Sequence, residues 1–96
     1  MTLAQQSQAL CARILKLLRE EREARSLTKY VVAKRSGLSQ QAVGYMERGE
    51  KRPSLETVLR YTASIGVNFA DILNRAQDEP AAKRRRPVAV SKPSPE

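Results

Sequence analysis

The stretch Ser39–Arg48 reads Ser-Gln-Gln-Ala-Val-Gly-Tyr-Met-Glu-Arg. Wound at about 100° per residue, it places Gln40, Gln41, Gly44, Tyr45 and Arg48 on one arc of roughly 140°. Ala42, Val43 and Met46 fall on the opposite side, as a core face would. A carboxamide offers a donor and an acceptor side by side. That pair can bond N6 and N7 of adenine together in the major groove of a duplex. The arc carries no Asp or Glu, so nothing on it repels a phosphate backbone. The plain alternative is a solvated helix face, and for Tyr45 simple packing on a neighbour competes with contact to a base edge or thymine methyl. Gly44 costs about 1 kcal/mol of helix propensity relative to Ala, a cost that close approach of the helix to DNA or to a partner helix would offset.

Other chemistries find little support. The chain has no histidine, which removes imidazole catalysis and His-containing metal sites. Its single cysteine, Cys11, allows no internal disulfide and sits in an apolar helical pattern, where it reads as a small core residue rather than a nucleophile. No Gly-rich phosphate loop occurs, and no carboxylate pair is spaced for acid–base work. A non-enzyme without cofactor or metal is expected. No apolar run approaches the ~20 residues needed to span a bilayer, and the first residues lack the basic and apolar regions of a signal peptide. A cytoplasmic location with no membrane partner follows as the expectation.

The elements that must position this face are helical throughout. Leu3, Leu10, Ile14, Leu17 and Leu18 recur at helical spacing between Thr2 and about Ala24. Ser26 and Thr28 are both candidate caps for a short second helix whose apolar face is Val31, Val32 and Ala33, ended by Gly37. Ser39 caps the third helix, Gln40 to Arg48, and Gly49 stops it. Ser54 opens a fourth whose core side is read as Leu55, Val58, Leu59, Ala63 and Ile65, ended by Gly66. Asn68 caps a fifth, with Asp71 three residues on resembling a capping box. Its stripe of Phe69, Ile72 and Leu73 can complete the core, form a two-fold interface, or do some of both. The expected fold is all-α and compact, with five helices in residues 1–77.

The net charge is +8 on 96 residues, which points to a polyanionic partner without separating DNA from RNA, a membrane or an acidic protein. Half of the excess lies at the end: residues 81–96 hold 5 Lys/Arg against 1 Asp/Glu, and residues 1–80 hold 13 against 9. From 78 to 96 the Pro, Ala and Ser content and the run Lys83-Arg84-Arg85-Arg86 give no helical period, and a disordered basic tail is expected. Such a tail can lie along phosphates or enter a minor groove, bind another partner, or do nothing specific.

Two short helices joined by Ser36-Gly37-Leu38-Ser39 match a helix-turn-helix unit over 28–48. The residues Leu27-Thr28-Lys29-Tyr30-Val31-Val32-Ala33, Val43, Glu47-Arg48-Gly49, Lys51-Arg52-Pro53-Ser54-Leu55-Glu56-Thr57 and Gly66-Val67 extend the match. Together they resemble the lambda-repressor/Cro-like helix-turn-helix domains, the xenobiotic-response-element class, from about Leu15 to Ala76. The resemblance implies a five-helix domain in which 28–35 crosses the DNA backbone and 39–48 enters the major groove. It places Gln40, Gln41 and Tyr45 at base-reading positions. Thr28, Lys29, Ser39, Arg48, Lys51 and Arg52 fall at phosphate positions. It makes Glu47 a structural acid paired with a base of the first helix such as Arg19. The chain departs from the family at Lys29, often Gln there. Lysine cannot accept a hydrogen bond, so it suits a phosphate rather than bracing Gln40. Tyr30 and Val31 stand where polar residues are common. The resemblance implies a homodimeric transcriptional regulator, a repressor by expectation, on a palindromic double-stranded operator. An antitoxin-like module with a protein partner and a restriction-modification controller protein are the alternatives.

Overall fold

A computed structural model describes the backbone over residues 1–85 and the side chains over residues 1–78. Five helices follow in order: α1 (Leu3–Ala24), α2 (Lys29–Ser36), α3 (Gln40–Arg48), α4 (Leu55–Ser64) and α5 (Phe69–Arg85). Each start has a local cause. The hydroxyl oxygens of Thr28, Ser39 and Ser54 accept from Val31, Ala42 and Thr57 backbone N–H at 3.0–3.1 Å, satisfying donors that no helical carbonyl can reach. Thr28, not Ser26, is therefore the cap of α2. Asn68 Oδ1 accepts from Ala70 and Asp71 N–H at the head of α5.

α2 packs against both α3 and α4, while α1 packs across α5 and touches α3. The core between them holds Leu17 and Leu18 from α1, Val32 from α2, Val43 and Met46 from α3, Val58 and Tyr61 from α4, and Ile72 and Ala76 from α5. The turn from α2 to α3 needs Gly37, whose φ of 77° is left-handed. A Cβ there would also stand 2.5 Å from an Arg60 guanidinium nitrogen. Arg60 is in place because its Nε donates to Ser36 O at 2.8 Å, joining α4 to the end of α2.

Several expectations are corrected. Cys11 is exposed rather than packed in the core. The buried side of α4 is Val58, Tyr61, Thr62 and Ser64, whereas Leu55 and Leu59 are 66% and 43% exposed and Ala63 is also outside. α4 is rotated this way because Tyr61 has a buried partner for its hydroxyl. Ile72, one of the residues considered for a two-fold interface, is 1% exposed and belongs wholly to the core; Phe69 and Leu73 are half-buried. The backbone of α5 continues to Arg85, past the boundary expected at residue 77. The side chains of Lys83, Arg84 and Arg85, and all of Arg86 and the tail that follows, lie outside the described residues.

Candidate nucleic-acid interface

α3 is held by its inner side and presents its outer one. Val43 and Met46 are buried, Ala42 is half-buried, and Gln40, Gln41 and Arg48 are exposed. Its last turn is anchored by a charged cluster. Arg22 of α1 donates from Nε and Nη2 to the two oxygens of Glu47 at 2.6 and 2.9 Å. Tyr61 of α4 donates its hydroxyl to the same carboxylate. The partner of Glu47 is thus Arg22, not Arg19, which pairs with Glu23 on the surface. Glu47 keeps the Arg22 guanidinium charged, pushing it further above its already high range. Burial first, and Glu47 second, push the Tyr61 phenol well above its usual range. The cluster fixes the pitch of α3 against α1 and α4.

On the exposed side, Gln41 Nε2 donates to the Tyr45 hydroxyl at 2.8 Å. This spacing of one helical turn leaves the Gln41 carbonyl oxygen, one amide N–H and the phenolic O–H available outward. The Tyr45 ring is half-buried and serves as a shelf: Lys51 Nζ lies 4.5 Å from its centroid and Arg48 Cζ 5.4 Å. Gln40 is exposed at the first position of the helix. Thr28 and Ser39 use a hydroxyl oxygen as a cap and retain the hydroxyl proton as a donor. Lys29, Lys51 and Arg52 are exposed cations, and Tyr30, at 53% exposure, lies on the surface beneath Lys34.

Two residues behave differently from their sequence reading. Arg48 donates from Nε to Glu50 at 2.5 Å, so its charge is already paired; Arg48 in turn holds the Glu50 carboxyl below the usual carboxylate range. Gly44, placed on the outward arc, is buried because Arg48 folds back over it. A Cβ on residue 44 would sit 2.9 Å from Arg48 Nη1, so the glycine serves the helix's own arginine. Sequence reasoning left out Glu50, Ser54 and Thr57, which share this surface. The signal for the last two was present, since Ser54 is a cap beside a basic loop.

Beside α3 runs a cleft of about 390 Å³, lined among others by Ser39, Gln41, Tyr45, Lys51, Ser54 and Thr57. The N-termini of α3 and α4 both border it. The positive ends of two helix dipoles, hydroxyl protons and the Lys51 ammonium all favour an anion there. Among the described residues no group of His, Cys, Asp and Glu could hold a metal, and no helix is long and apolar enough to cross a membrane.

A short turn, an outward polar face on the second of two crossed helices, and donors beside it form one arrangement. The helix-turn-helix family model matches residues 18–72, from the second half of α1 into α5. The chain belongs to this family, of the Cro/C1 type. It is similar to an uncharacterized HTH-type transcriptional regulator, y4dJ, of Sinorhizobium fredii, 30% identical over 63 residues that cover 66% of this chain and 82% of the relative. No solved structure matches the chain. Within the helix-turn-helix frame α2 and α3 are the two crossed helices. Outside the matched range, Met1–Leu17 and residues 73–85 complete the layer that α1 and α5 form behind them.

Proposed function

We propose that the chain is a sequence-specific transcriptional regulator that inserts α3 into the major groove of double-stranded DNA and acts as a repressor. The observation that carries this reading is the outward face of α3, where Gln40 and Gln41 project from a helix braced from behind by Glu47. Gln40 and Gln41 read base edges, with Tyr45 orienting Gln41. Thr28, Lys29, Ser39, Lys51 and Arg52 bind phosphates. The basic residues Lys83, Arg84, Arg85 and Arg86 add contacts to the same polyanion. Membership of the family and the regulator name of the matched relative support the reading. A homodimer on a palindrome, with half-sites about 34 Å apart, fits a monomer that presents one recognition helix.

The test is selection of bound duplexes from a randomised pool, followed by anisotropy titration of the recovered duplex and a shuffled copy at about 150 mM salt. A preference of about 10³ or more is expected. Equal, weak and steeply salt-dependent binding to both would leave only generic phosphate affinity and overturn the reading.

A further inference from the structure

Among the described residues, every arginine but one has a fixed partner. Arg13, Arg35 and Arg60 donate to main-chain carbonyls on other helices, and five others hydrogen-bond to carboxylates. Arg52 has neither kind of partner, and it is exposed. It stands where two concave surfaces meet. One is the cleft beside α3; the other is a mostly apolar groove of about 240 Å³ whose walls include Ile14 and Leu15 of α1, Val58 of α4 and Phe69 of α5. Among the described residues Arg52 supplies the one charge in the lining of that groove. The groove is smaller than the roughly 300–1,000 Å³ pockets that enclose drug-sized ligands, which suits a single acyl chain. A guanidinium on the rim of an apolar hollow is complementary to a molecule with an apolar body and an anionic head, because a carboxylate accepts two parallel N–H donors from one arginine. A neutral head leaves the guanidinium unpaired, and a cationic head is repelled by it.

From these observations we infer that the groove binds an aliphatic monocarboxylate of medium chain length, its chain against Ile14, Leu15 and Phe69 and its carboxylate on Arg52. The same guanidinium borders the cleft beside α3, where Arg52 is proposed to bind phosphate. One guanidinium cannot serve both anions at once. Carboxylate and DNA therefore compete for Arg52, and each weakens the binding of the other by the same factor. The competition rests on the DNA reading above; occupation of the groove does not.

The test is isothermal titration of the full chain with octanoate, octanol and octylammonium. Octanoate should bind about tenfold or more tighter than either control, as a hydrogen-bonded charge pair adds to an apolar contact. It should also slow alkylation of Cys11, which lines the groove. Arg52→Gln should bring octanoate down to the level of octanol, whereas Arg19→Gln, which removes an equal charge outside the groove, should leave its affinity unchanged. Cys11→Trp places a larger side chain in the groove from an exposed position and should abolish binding. Circular dichroism melts establish that the variants remain folded. Saturating octanoate should lower affinity for recovered and shuffled duplexes alike by about three- to tenfold, with a salt slope shallower by about 0.9. Duplex binding by Arg52→Gln should not respond to it. Octanoate that binds no better than octanol, or binds Arg52→Gln or Cys11→Trp as well as the wild type, overturns the inference. So does Cys11 alkylation that slows with chain concentration alone, which would seat a second copy in the groove. Octanoate bound through Arg52 with duplex affinity unmoved overturns the competition. If the wild type binds no duplex and octanoate still requires Arg52, the site stands and the DNA reading falls.

Discussion

The Tyr61 hydroxyl donates to the same Glu47 oxygen that accepts the Nε–H of Arg22, so one carboxylate joins α4 and α1 to the end of α3. The Glu47 side chain is 3% exposed and that of Arg22 10%. Removing one partner of a buried ion pair costs about 3–5 kcal/mol, because the other charge is left without compensation. Glu47→Ala is therefore expected to lower the midpoint of a thermal melt by roughly 12 °C or more in a domain of this size. DNA affinity should fall with the folded fraction.

Tyr61→Phe removes one hydrogen bond to a charged acceptor and keeps the ion pair, so a loss of about 1.5–3 kcal/mol is expected. It also changes the alkaline limb of stability. In the folded chain the phenol is held above its ordinary range, so above about pH 10 the unfolded chain releases a proton that the folded chain keeps. The contribution is fully present below that pH and is lost as pH rises beyond it. Melts between pH 8 and pH 11 should show a decline in the wild type that is shallower in Tyr61→Phe. Equal slopes would mean that the buried phenol does not control this limb.

Arg13 Nε donates to the carbonyl of Ala76 at 2.8 Å across α1 and α5. In an uninterrupted helix that carbonyl would accept from residue 80, which is proline and has no N–H. The arginine takes the place of the missing donor. Arg13→Ala is expected to cost about 1–2 kcal/mol. Arg19→Ala, which removes only the exposed pair with Glu23, should cost about 0.3–0.5 kcal/mol. Denaturant unfolding of the two variants decides the comparison, and similar losses would contradict it.

Glu50 neutralises Arg48 on the surface proposed to face DNA. Glu50→Gln is expected to raise affinity for recovered and shuffled duplexes alike, by about three- to tenfold. The plot of log affinity against log salt should steepen by about 0.9, the increment for one further phosphate contact. Titrations at three salt concentrations measure both. A gain confined to the recovered duplex would assign Arg48 to base reading instead.

The starts of α2, α3 and α4 and the ends of α2 and α3 were legible because the chemistry that sets them is local: Thr28, Ser39 and Ser54 each cap the helix that follows, and Gly37 and Gly49 each end one. What failed depends on how helices are rotated against each other. Arg19 and Arg22 lie about one turn apart on α1, and which of them reaches Glu47 is decided by the roll of α1 on α3. In α4, hydropathy favours burying Leu55 and Leu59, yet Tyr61 is inside because Glu47 satisfies its hydroxyl. No single-residue scale contains that pairing. The outward positions of Gln40 and Gln41 on α3 were readable from its own periodicity. The sequestration of Arg48 was not, because it depends on the left-handed turn at Gly49 bringing Glu50 back toward the helix.

The most direct test of base reading by α3 is to repeat the selection from a randomised duplex pool with Gln40→Ala beside Lys51→Ala. Gln40→Ala is expected to lose preference at one base position in each arm, at a cost of about 1–3 kcal/mol on the wild-type site. Lys51→Ala should keep the wild-type consensus and bind every duplex more weakly, with a salt slope shallower by about 0.9. An unchanged consensus with Gln40→Ala, and a uniform loss for both variants, would contradict the claim that this helix face reads sequence.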